Sequence, residues 1–140
     1  MAIVTRTLRD TAVNAPGAGG TVTIKVDIED DAAANTAILD ASGLDGHANG
    51  AKLHIARLWW ALTQGSADDD TGHVEIQEVS SGTDIVQIRL AGTGHYDGSA
   101  GVIPGTAANT RVTSGDHEIT TFGTSGFGII EFKKDENYTS

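Results

Sequence analysis

The 140-residue chain predicts an all-β fold, an antiparallel β-sandwich of jelly-roll-like kind with about eight short strands. Three observations predict it. Runs rich in Val, Ile, Thr and aromatic residues repeat with a period of two. Clusters of Gly, Asn, Ser and Asp cut those runs at intervals of about ten residues, and no long segment carries the 3.6-residue period of a helix. Aromatic residues make up only 5% of the chain and Gly numbers 18, so the core must be built from Val, Ile, Leu and Ala between tight turns.

Residues 2–9 alternate as a strand does, although their terminal position equally suits an arm that orders against a neighbour. Asn14 to Gly20 is a Gly-rich linker, so residues 1–20 are read as an N-terminal strand or arm with its linker and 21–140 as the sandwich domain. Thr21 to Ile28 is the clearest half-buried strand, with Val22, Ile24, Val26 and Ile28 on one face. Glu29 to Asn35 could open a short helix with Asp31 as N-cap or form a loop. Ala37 to Ala41 reads as a short strand, and Ser42 to Gly50 as a loop.

Lys52 to Leu62 is the central strand. Strict alternation sends Leu53, Ile55, Arg57, Trp59 and Ala61 to one face and His54, Ala56, Leu58, Trp60 and Leu62 to the other, so both faces are largely apolar and each needs a cover. Residues 64–72 form a polar loop. His73 to Val79 and Asp84 to Leu90 then make a hairpin around Ser80-Ser81-Gly82-Thr83, with Val74, Ile76, Val86, Ile88 and Leu90 facing in. From Ala91 to Gly115 the chain reads as a long connection anchored by Tyr96 and Ile103, of the kind that serves binding or assembly. Glu118 to Phe122 and Phe127 to Lys133 are the last two strands, before a polar tail.

Nine Lys and Arg against nineteen Asp and Glu give a formal charge of −10. Such a chain is repelled by phosphate backbones and anionic bilayers, which speaks against nucleic-acid and membrane partners. Without cysteine there is neither a disulfide framework nor a thiolate site. No secretion signal and no run of about 18 apolar residues is visible, so a soluble product of the cytoplasm is expected.

Chemistry-bearing residues are scattered. Glu29-Asp30-Asp31 and Asp68-Asp69-Asp70 invite a divalent cation but lack the alternating ligand spacing of a calcium loop, and solvated loops are the favoured reading. His47, His54, His73, His95 and His117 show no metal-ligand spacing, and no Gly-x-Ser-x-Gly marks a nucleophile. Thr93 to Gly98 lacks the strand-to-helix setting of a phosphate loop and reads as a turn with a packed tyrosine. No enzyme activity, catalytic residue, metal or cofactor is therefore expected. Trp59 and Trp60, placed mid-strand, are expected in the core, one of them at a subunit interface.

Several stretches together carry a resemblance: Ile55 to Trp60, Leu90-Ala91-Gly92-Thr93-Gly94-His95-Tyr96-Asp97, Thr113 to Thr121, and Ser125-Gly126 before Gly128 to Lys134. Over residues 36 to 134 this pattern resembles small virion structural proteins of tailed phages from aquatic habitats. The resemblance implies a capsid decoration or cement protein, made in the host cytoplasm and carried on the capsid surface. Its implied partners are the major capsid protein and further copies of the chain, a trimer being favoured. The contact surface is expected on Ile3, Val4 and Leu8 of the N-terminal segment and along 91–115, with Trp59, Trp60 and Tyr96 as further interface residues. Removing residues 1–15 is then expected to abolish capsid binding and spare the fold. A tail or fibre component and a carbohydrate-binding module are the alternatives.

Overall fold

The computed structural model describes residues 2–11, 20–31, 36–40, 53–64, 72–80, 85–103 and 113–134. Nine strands run through them: β1 (Ala2–Asp10), β2 (Thr21–Asp31), β3 (Thr36–Leu39), β4 (Leu53–Gln64), β5 (His73–Ser80), β6 (Ile85–Ala91), β7 (Thr93–Tyr96), β8 (Thr113–Phe122) and β9 (Thr124–Lys134). They form two sheets, β1-β2-β9-β4-β7 and β3-β8-β5-β6, in which all neighbours are antiparallel. β2 pairs with β9, β3 with β8, β4 with β7 and β5 with β6. The first half of the chain is thus matched to the second half in reverse, like one long hairpin rolled into two layers. This is the winding of a jelly roll, with β1 added at one edge.

The sandwich expected from the sequence is present, with one strand more and several longer than foreseen. β2, β4 and β9 have 11, 12 and 11 residues. β2 continues to Asp31 and pairs it with Thr124, while residues 32–35, where the sequence predicts a helix or loop after Asp31, lie outside the described residues. The long connection after Ala91 holds β7 and the first turn-free residues of β8, since Thr93–Tyr96 add to β4 and β8 begins at Thr113. Gly92, at φ 64, makes the break between β6 and β7, a conformation that side-chain-bearing residues resist.

Val22, Ile24, Val26 and Ile28 all point inward, as their alternation predicts, and pack with Leu58, Ile130, Phe132, Val74, Ile76 and Ile119 from both layers. The face assignment of β4 is different from strict alternation. Ile55 pairs with Phe132 but Arg57 with Glu131, so Ala56 is an extra residue, a β-bulge. A one-residue slip moves every later side chain to the other face. Leu53 and Ile55 therefore share the inner face with Leu58, Trp60 and Leu62, while Arg57, Trp59, Ala61 and Thr63 lie outside. β4 has one core face rather than two.

Of strand and arm, residues 2–10 form the strand. β1 pairs along its length with β2, and Ile3 packs against the core. Its end is tied down by Lys134, whose side chain is fully buried, ion-pairs Asp10 and donates to the Thr11 carbonyl at 2.9 Å. The backbone amide of Lys134 also donates to Gly20, and Thr11 bonds to Thr21. Loss of residues 1–15 would strip Lys134 of Asp10 and the Thr11 carbonyl and bare the edge of β2, contacts that argue against a fold indifferent to that deletion. The linker of residues 12–19 lies outside the described residues.

Candidate interaction face

The residues that meet on the outer side of the five-stranded sheet follow from register. Val4, Asp27, Phe127, Ala61 and Thr93 make one row across β1, β2, β9, β4 and β7; Arg6, Lys25, Ile129, Trp59 and His95 make the next. Phe127, Ile129, Ala61 and Trp59 therefore form a contiguous apolar block on the two strands at the sheet's middle. Trp59 is 38% exposed and Val4 53% exposed. In a two-layer sandwich this side should be polar, because among the described residues none is stacked on it.

Ion pairs frame the block. Lys25 lies 3.3 Å from Asp27 and 5.9 Å from the centre of the Phe127 ring; Arg57 lies 3.4 Å from Glu131. These pairs are partly exposed and so add little to stability, but they fix long side chains beside apolar surface. A shallow groove runs from Val4 past Asp27, Glu29 and Gly126 to Phe127.

The sequence-predicted interface residues divide between the two sides. Val4 and Trp59 come together on this face, and Leu8, the bulged residue between Thr7 and Arg9, stands exposed at its edge. Ile3, Trp60 and Tyr96 lie on the inner side. Trp60 donates its Nε1–H to the Ala91 carbonyl at 3.0 Å and is flanked by Gly94 and Gly128 in neighbouring strands; a Cβ on Gly94 would sit 2.7 Å from the indole. Tyr96 donates its hydroxyl to the Gly101 carbonyl. Phe127 and Ile129 escaped sequence reading. Their signal was the unbroken run Phe127-Gly128-Ile129-Ile130, which has apolar residues in both parities.

The polar residues inside are locked in structural roles. His117 is fully buried, packs tilted at 54° against Phe132 with ring centres 4.6 Å apart, and shares a 2.7 Å hydrogen bond with Gln87 Oε1. Gln87, the extra residue where β6 slips against β5, also donates to the Ile103 carbonyl. Glu78, also buried, is directly opposite His117 on β5. His73 stacks on Phe122 at 4.2 Å, and His95 is exposed. Asp97 accepts the Ser99 amide at 2.9 Å; that bond, with help from the Ser99 hydroxyl and from His95, lowers its carboxyl below the ordinary 3.8.

Among the described residues no three His, Asp or Glu side chains gather as a metal site would require. Glu29 is exposed on β2, the side chains of Asp30 and Asp31 are outside the described residues, and so are Asp68, Asp69, Asp70 and His47. The crevice between Trp60, Leu62, Val74, Leu90 and Phe127 encloses about 10 Å³, room for one water at most. Among the described residues no helix is long and apolar enough to cross a membrane. The chain matches no family model, no curated protein and no solved structure.

Proposed function

We propose that the chain is a virion structural protein, a decoration or cement protein that binds the major capsid protein on the head shell of a tailed phage as a homo-oligomer. The observation that carries this reading is the apolar block of Trp59, Ala61, Phe127 and Ile129 on a sheet face that no described residue covers as a further layer. A sandwich acting alone has no use for such a face; a building block does. Jelly rolls recur among virion proteins, but also among lectins, so fold alone ranks the reading without deciding it. The exposed apolar edge at Leu8 is the surface assigned to the capsid.

Adsorption tests it. Purified protein mixed with empty phage heads is expected to sediment with them and to be labelled on the head by immunogold. Labelling confined to tails, or protein that stays in the supernatant with every shell tried, would refute it.

Exposure of Trp59 favours a second reading, carbohydrate binding, since a solvent-facing indole beside Arg57, Glu131 and His95 can stack on a sugar ring. Titration of Trp59 fluorescence with oligosaccharides separates the two. A saturable change would favour the sugar; none is expected for the shell protein.

A further inference from the structure

We infer that the outer face of sheet β1-β2-β9-β4-β7 is the seat for the acidic surface of a second copy of this chain, joined head to tail. The inference deepens the proposed oligomer and rests on that reading. Its first support is charge. Arg6, Arg9, Lys25, Arg57 and Lys133 stand on this face by register, against Asp27, Glu29 and Glu131. Among the described side chains, five of the seven cations but three of the ten acids are here, a local charge of +2. The other described side chains keep two cations and seven acids, a charge of −5.

Two copies that approach through any acidic region repel each other, and two that approach face to face set like charge against like charge. Positive face to negative remainder is the arrangement that attracts. Contacts of this kind use different surfaces on the two partners and close into rings, a trimer among them, where the rotation between copies permits, and run on as filaments where it does not.

Area is the second support. Four strands of nine to twelve residues and a fifth of four, about 4.8 Å apart at about 3.3 Å per residue, present roughly 700 Å². A stable specific interface takes about 800 Å² from each partner. The centre of the face is apolar and its rim charged, the anatomy of such interfaces, and Trp59 is the aromatic anchor at the middle.

Sedimentation equilibrium of the full chain at low salt tests the inference. The wild type is expected to be larger than a monomer, and Trp59→Glu or Ile129→Glu to weaken association by about 30-fold or more. Arg6→Glu, which alters an exposed side chain and leaves the apolar block alone, is expected to weaken it by about tenfold, and raising the salt should weaken the wild type and shrink that difference. Unchanged far-ultraviolet spectra and melting temperatures would show that the variants fold. A monomeric wild type overturns the inference, as do folded Trp59→Glu and Arg6→Glu variants that associate like the wild type. If Trp59→Glu keeps its oligomer but loses shell adsorption, the face belongs to the capsid and the inference fails. An oligomer dissolved by these variants supports it even where no phage head is bound, a result that would refute only the virion reading.

Discussion

Replacing Asp10 with Ala should destabilise the protein more than its position on an edge strand suggests. Lys134 has a fully buried side chain at the end of β9, and its ammonium meets Asp10 and the Thr11 carbonyl in the N-terminal hairpin. Removing one partner of a buried ion pair costs about 3–5 kcal/mol, because the other charge is stranded. Asp10 keeps 24% of its side-chain exposure, which weakens the pair through solvent screening, and the Thr11 carbonyl remains. The expected loss is therefore about 2 kcal/mol, or about 6–8 °C in Tm for a chain of this size. Lys134→Met removes the charge, fills similar volume and lets Asp10 rehydrate, so it should cost less than about 1 kcal/mol. The double variant should match Lys134→Met, and urea titrations of all four proteins complete the cycle. An Asp10→Ala protein within about 0.5 kcal/mol of wild type, with its uncertainty, would refute the buried latch.

Gly126→Ala should lose at least about 3 kcal/mol, since its Cβ would lie 2.0 Å from the Ala61 carbonyl oxygen at φ 139, whereas Gly101→Ala, at φ 102 with open space around it, should lose only about 1 kcal/mol; thermal melts compare them. Trp60→Phe should cost about 1 kcal/mol for the bond to Ala91, beyond any packing change, read by the same melts. Asp97 should titrate below 3.8 by carbon-detected NMR. Because its folded value is depressed, its contribution is present above the unfolded value and lost as pH falls through the folded one; Asp97→Asn should remove that part of the acid dependence.

Alternation made the core strands legible. Val22, Ile24, Val26 and Ile28 declare their inner face without help, and Val74 and Ile76 do so in the hairpin. What alternation could not show is where it slips. Ala56, Leu8 and Gln87 are extra residues in their strands, and none belongs to a residue type that announces a bulge. The slip at Ala56 is what turns Trp59 outward, so the candidate face was hidden behind a single residue whose conformation is set by tertiary pairing. β7 was missed for another reason: Thr93-Gly94-His95-Tyr96 has turn chemistry, and Gly94 is there because Trp60 needs the space a side chain would fill.

The edges explain why association through a sheet face is favoured over strand addition. A bare edge offers unpaired amides and carbonyls to any passing strand, and β proteins blunt it with short strands, charges and bulges. Here β3 and β7 have four residues each. β6 carries the bulge at Gln87, whose side chain is turned inward to His117. β1 is long, but it bears Arg6 and Arg9 and is bent at Leu8. All four edges of the two sheets thus discourage continuous pairing, whereas the outer face of β9 and β4 carries Phe127, Ile129 and Trp59 with, among the described residues, flanking ion pairs for cover. A chain shaped against edge contacts and left apolar on one face directs its neighbours to that face.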